Sequence, residues 1–166
     1  AGNGSATHMN AEKFRVAAGV QAQHVPYRGT PEALTETASG RIDWFFAPLV
    51  SALPLIQSGR LQALAVSTAQ RSPLLPNVPS ISEAGFANAA YTFWVGLFVT
   101  AKTPKPIVQK LHEEVQKALQ TKEVRERMNA VGGEVVPGSA DMFTNLIRSE
   151  RARYSKLVRE ANIQPD

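Results

Sequence analysis

The sequence predicts an α/β fold, and three observations carry that reading. Over the first 70 residues short apolar runs alternate with helix-patterned segments. Two small glycine-hydroxyl turns lie in the same stretch, Gly2-Asn3-Gly4-Ser5-Ala6-Thr7-His8 and Tyr27-Arg28-Gly29-Thr30-Pro31-Glu32, each placed to open a helix. Beyond residue 92 the apolar spacing becomes helical. The layout therefore divides into a strand-rich part over 1–92 and a helix-rich part over 93–166.

Each element has its own justification. Ser5 is an N-cap for a helix over 6–18, with Met9, Phe14, Val16 and Ala17 as its apolar positions and Gly19 as its stop. Gln23 to Tyr27 reads as a strand running into a loop. Thr30 is expected to cap a second helix with Pro31 in its first position, and Gly40 closes it. Ile42 to Ala47 reads as a short apolar strand, and 49–58 as a third helix bent at Pro54. Leu61 to Val66 is a further strand. Pro73, Pro76 and Pro79 mark 69–90 as an irregular excursion with a helical patch over Ser80 to Ala84. Phe93 to Val99 is the most apolar strand. An amphipathic helix starts at Thr103-Pro104, with Ile107, Val108, Leu111, Val115, Ala118 and Leu119 on one face. A short helix over 121–131 stops at Gly132-Gly133, Val135-Val136 is a short strand, and Ser139 opens a long final helix.

Composition narrows the function. The 166 residues are 43% hydrophobic, enough for a core, and 19% charged, below the usual ~25%. The net charge of +4 suits an anionic partner, but the basic residues alternate with acidic ones over 102–159, as on solvated helix faces. That pattern speaks against nucleic-acid binding. The absence of cysteine excludes disulfides, zinc–thiolate sites and cysteine nucleophiles. No apolar run approaches the ~20 residues of a membrane span, and no signal-peptide pattern is present. The chain opens inside a loop motif, which suggests a trimmed or partial chain.

Catalytic and metal constellations are missing. His112 lies beside Glu113 and Glu114 on a polar helix face, His24 sits in a strand pattern, and neither has a metal-ligand partner at helical or turn spacing. No nucleophile elbow, phosphate loop or dinucleotide fingerprint occurs, and no acid is evident to orient His8 behind Ser5. The two glycine turns point instead to binding. Each offers backbone N–H groups, a hydroxyl and a closely approachable glycine at a helix N-terminus, which suits a carboxylate. His8 could add a donor to an anion held by Ser5, or simply face solvent. Arg28 could stand near the ligand or in solvent, and the amides of Gly29 and Thr30 are the better candidates. Trp44 and Trp94 read as core or hinge packing.

The order of these motifs resembles the Bug/TctC family, the extracytoplasmic receptors of tripartite tricarboxylate transporters. The matching stretches are Gly4 to His8, His24 to Leu34, Gly40 to Asp43, Gly59 to Val66, Arg71 to Gly85, Trp94 to Phe98 and Thr103 to Val108. The resemblance spans essentially the whole chain, but the family is much longer and the half that carries its first lobe is absent here. It implies a periplasmic-binding-protein type II-like second lobe over 1–92, plus the crossover strand and C-terminal helices over 93–166 that normally complete the first lobe. It further implies a periplasmic solute-binding protein for a small organic carboxylate, working with the membrane components of the transporter, with no enzyme activity, cofactor or metal. The family's ligand turns fall on Ser5, His8, Gly29 and Thr30, and more weakly on Asn3, Tyr27, Arg28, Ala47 and Pro48. Tyr154 stands where the family often has tryptophan, which bears on packing. The rival readings are an α/β metabolic enzyme acting on an acidic substrate and a DNA-binding regulatory domain using the helices after 105. Apolar helix faces left without their first-lobe cover would favour a homodimer with exchanged C-terminal segments.

Overall fold

Helices close their own hydrogen bonds, and the computed structural model, which describes residues 1–163, forms them where the caps predict. Helix α1 covers Ala6–Ala18, with Ser5 as its N-cap and Gly19, at φ 65°, as its left-handed C-cap. Helix α2 covers Thr30–Ala38. Its N-cap is Gly29 and not Thr30, so the expected cap shifts by one residue and no side chain caps this helix. Helix α3 covers Leu49–Gln57 and accommodates Pro54 within it. Helices α4 (Lys105–Gln120), α5 (Lys122–Ala130) and α6 (Ala140–Glu160) follow. Thr121 and Ser139 cap the last two through their hydroxyls, at 3.4 Å to the Val124 N–H and 3.1 Å to the Met142 N–H.

The expected strands are not realised as a sheet. Among the described residues the only β pairing is a parallel bridge between Val66 and Ser80. There the Val66 N–H reaches the Pro79 carbonyl at 2.9 Å and the Ile81 N–H reaches the Val66 carbonyl at 2.8 Å. Ser67 adds two bonds to Tyr91, at 2.7 and 3.0 Å. The segments 23–27, 42–47, 93–99 and 135–136 carry no ladder. The physical reason is that a strand, unlike a helix, needs a second segment to satisfy its backbone. The helical patch expected over Ser80 to Ala84 is a turn, followed by a 3-10 turn over Ala87–Ala89.

Contacts divide the chain into two units: Ala1–Phe93 with the described residues from Arg151 onward, and Trp94–Glu150. The last three residues of the expected 93–166 segment lie outside the described residues. In the first unit Met9, Tyr91 and Leu157 form the buried centre. The Tyr154 hydroxyl donates to that of Tyr91 at 2.8 Å, and the Arg153 guanidinium lies over both rings. Phe14 packs against Trp44, Phe46 and Phe86. The buried face of α1 is more polar than its pattern suggests: Thr7, His8, Asn10 and Glu12 are buried with Met9, while Val16 is exposed.

In the second unit alternation survives without a ladder. Trp94 and Phe98 contact the Phe143 ring, and a Cβ at Gly96 would run into that ring. Val95 and Leu97, on the alternate positions, are 85% and 66% exposed. These are the two faces of an extended segment.

A local lock orders the proline-rich excursion. The Ser80 N–H donates to the Glu83 carboxylate at 2.8 Å, the Glu83 N–H donates to Ser80 Oγ at 3.2 Å, and Arg71 pairs with Glu83 at 3.0 Å. Arg71, with the Ser80 N–H, lowers the Glu83 carboxyl from 4.5 to about 2. The folded value lies below the unfolded one. The stabilisation is therefore present above pH 4.5 and is lost as pH falls towards 2. Amide exchange at Ser80, normalised for intrinsic rate, is expected to lose protection over that interval, and Glu83→Ala, which removes the acceptor, to lose it at every pH.

Candidate functional site

The first glycine turn is wound onto α1 by its own polar groups. The Ser5 N–H donates to the Gly2 carbonyl at 3.2 Å, and Gly4 takes the left-handed conformation at φ 68° that glycine makes accessible. Ser5 Oγ accepts from the main-chain N–H of His8 at 3.3 Å and lies 3.1 Å from Thr7 Oγ1. The terminal amine of Ala1 donates to Thr7 Oγ1 at 3.2 Å. The N–H groups of Ala6 and Thr7 are left by helix geometry without intrahelical acceptors.

His8 does not face solvent; it is only 6% exposed. The Gly4 N–H donates to its Nδ1 at 3.1 Å. Nδ1 is therefore an acceptor, and the neutral ring carries its proton on Nε2. The ring stacks on His24 with centroids 3.8 Å apart. Nε2 lies 4.0 Å from the Glu12 carboxylate, which pairs with Arg15 at 2.8 Å. Glu12 is the acid the sequence reading missed, one helical turn beyond His8. The arrangement is still not a hydrolytic one. Ser5 Oγ bonds the backbone of His8 and not its ring, whose nitrogens face Gly4 and Glu12.

The second turn lies beside the first. A Cβ placed on Gly2 would sit 3.7 Å from the Tyr27 carbonyl oxygen, and the His8–His24 stack joins the same two segments. Glu32 reaches back to accept from the Arg28 N–H at 3.1 Å, a capping arrangement that fixes the turn. Pro31 has no N–H, so the donors nearest the turn are those of Gly29 and Thr30. The Thr30 hydroxyl is not used as a cap. Arg28 is exposed. Ala47 and Pro48 stand at the start of α3, whose N-cap is Pro48.

An open cleft of about 420 Å³ lies in the first unit along α1 and the first turn, and no residue of the second turn, Tyr27 to Glu32, lines it. Of the expected residues Asn3 and His8 line it, joined by Glu12, Arg15 and His24. His8, Glu12 and Arg15 follow at spacings of four and three, one face of α1. That spacing was the available signal, and the mixed charge along it reads equally as a solvated helix face. Among the described residues no group of histidines and acids could hold a metal ion, and no helix is long and apolar enough to cross a membrane.

Comparison with known proteins places this geometry in context. The family described as tripartite tricarboxylate transporter family receptor matches over residues 1–163. A protein from the tcbD–tcbE intergenic region of a Pseudomonas species is 33% identical over 96% of this chain and 48% of its own length. A second, from the clcB–clcD intergenic region of Pseudomonas knackmussii, is 31% identical over 95% of this chain and 94% of its own. The chain thus spans about half the length of the first of these relatives and nearly all of the second.

Solved structures agree. A Rhodopseudomonas palustris protein with adipate aligns at TM-score 0.90, 31% identity and 98% of this chain, against 55% of its own. MatC from the same species, with bound malate, aligns at 0.83 and 29%, over 93% of this chain and 54% of its own. The periplasmic binding protein BugD aligns at 0.86 and 27%, over 98% and 55%. The chain therefore has the α/β fold of these periplasmic binding proteins.

Proposed function

The chain belongs to the tripartite tricarboxylate transporter family of receptors, and on that footing we propose that it serves in the periplasm to capture a small organic carboxylate for the membrane components of such a transporter. The family and its solved neighbours are receptors and not enzymes. The carrying observation is the juxtaposition of two backbone-rich turns, Gly2 to His8 and Tyr27 to Thr30, with Gly2 against the Tyr27 carbonyl. In this reading Ser5, His8, Gly29 and Thr30 hold the carboxylate, with Asn3, Tyr27, Arg28, Ala47 and Pro48 around them. Two neighbours hold dicarboxylates, adipate and malate. Helix N-termini recognise the carboxylate group itself, so the class of ligand follows and the individual acid does not.

Relatives of twice this length have as much chain again with which to enclose a ligand. A single wall supplies about half the contacts, while the entropic cost of capture stays near ~4–15 kcal/mol. Losing even ~4 kcal/mol weakens binding about a thousandfold. Adipate and malate are therefore expected to bind this chain saturably, in the millimolar range at best, without turnover. An NMR titration over a panel of organic acids checks this. Chemical conversion of an acid, or micromolar binding that moves no resonance of residues 2–8 or 27–30, would overturn the reading.

The same reading includes self-association. In the second unit Ile107 and Leu111 on α4 are 51% and 41% exposed, an apolar face of the kind that partners cover. Light scattering is expected to show a dimer that forms with concentration. A monomer at every concentration would count against it.

A further inference from the structure

The strongest unassigned feature is the bond between the Gly4 amide and the His8 ring. A backbone N–H can only donate, so His8 Nδ1 must accept, and it can accept only while unprotonated. Gly4 sits in the left-handed conformation at the centre of the ligand turn, with the Ser5 N–H bonded back to Gly2 on one side of it and the Ser5 cap on the other. We propose that His8 is a positioning residue for this turn: its neutral, Nε2-protonated ring holds Gly4 in place, and uptake of a solvent proton at Nδ1 releases the turn. This rests on the carboxylate reading above for its effect on ligand, though not for the motion itself.

The groups facing the ring set the terms of that proton uptake. His24 stacks 3.8 Å away, so a positive His8 meets a second imidazole at van der Waals distance. Glu12, 4.0 Å from Nε2, favours the charged ring, while Arg15 neutralises Glu12. Burial of His8 removes the water that would otherwise solvate either state. When Nδ1 gains a proton, two N–H donors point at one another. The bond to Gly4 breaks, and the amides of the turn lose the arrangement that an anion needs. An added positive charge on His8 would by itself attract a carboxylate, so the direction of the pH effect decides between the two roles.

The test uses the whole chain. Nitrogen-15 NMR without ligand is expected to show the Nε2-protonated tautomer near pH 8. As pH is lowered, Gly4 amide protection should vanish together with the titration of His8. His8→Asn supplies an amide oxygen close to the position of Nδ1 and does not titrate, so its Gly4 protection should stay level with pH. Adipate affinity of the unsubstituted chain should fall about tenfold more steeply on acidification than that of His8→Asn, whose remaining pH dependence is that of adipate's own carboxyls. An Nδ1-protonated tautomer, unchanged Gly4 protection through the titration, or affinity that rises on acidification would overturn the proposal. If Gly4 protection titrates as stated but adipate binds at no pH, the carboxylate reading fails and the positioning role stands.

Discussion

Leu157→Ala is expected to lower the stability of the first unit by about 2–5 kcal/mol. Leu157 is 7% exposed and meets Met9 and Tyr91 at the buried centre of that unit. Truncation removes its transfer energy and leaves a cavity between a helix start and an aromatic ring. The site cannot collapse easily, because Tyr91 is held by the Tyr154 hydroxyl and by two bonds to Ser67. Total stability for a unit of this size is about 5–15 kcal/mol, so the variant should melt well below the unsubstituted chain. Calorimetry checks the shift. Leu157→Met, which keeps the volume, should cost under about 1.5 kcal/mol. Equal losses in the two variants would show that the volume at this position does not matter.

The second large effect is on binding. Ser5→Ala with His8→Ala should abolish carboxylate binding to the chain. In the proposed reading Ser5 supplies its hydroxyl and His8, by holding Gly4, a positioned backbone amide to the charged acceptor, each worth about 1.5–3 kcal/mol. Together that is on the order of a hundredfold to ten-thousandfold, beyond the reach of a site that begins in the millimolar range. Ser5→Ala also removes the cap on the His8 N–H, at a cost of roughly 1 kcal/mol to α1. Circular dichroism separates the two causes. Helix content near that of the parent with no acid-induced shift at Gly29 or Thr30 supports the site, whereas intact binding in the double variant would place it elsewhere.

How much of this was legible in the sequence differs sharply between helices and strands. Ser5, Gly19 and Ser139 marked helix ends within a residue or so, because a cap and its helix are neighbours in the chain. The cap expected at Thr30 falls one position earlier, at Gly29, in extended backbone open to any residue, and the Thr30 hydroxyl is left unused. Leu61 to Val66 and Phe93 to Val99 had strand patterns just as clear, but a ladder depends on a distant segment. Only Val66 finds one, across a chain separation that no local pattern encodes. The candidate site, as proposed, is half legible. Gly2 to His8 and Tyr27 to Thr30 announced themselves by residue type, whereas the stack of His8 on His24 and the approach of Glu12 are tertiary facts. His24 is remote from His8 in sequence, and nothing in either neighbourhood pairs them.

The division of the chain also has an optical consequence. Its two tryptophans fall one to each unit. Trp44 lies edge-on to Phe14 and Phe46 in the first, and Trp94 edge-on to Phe143 in the second. Each indole therefore reports the emission of its own unit, and Trp44→Phe or Trp94→Phe leaves a single fluorophore whose unfolding curve belongs to one half of the contacts. If the two curves coincide in denaturant, the units unfold as one cooperative species; if they separate, the interval between their midpoints measures how independently each holds its fold.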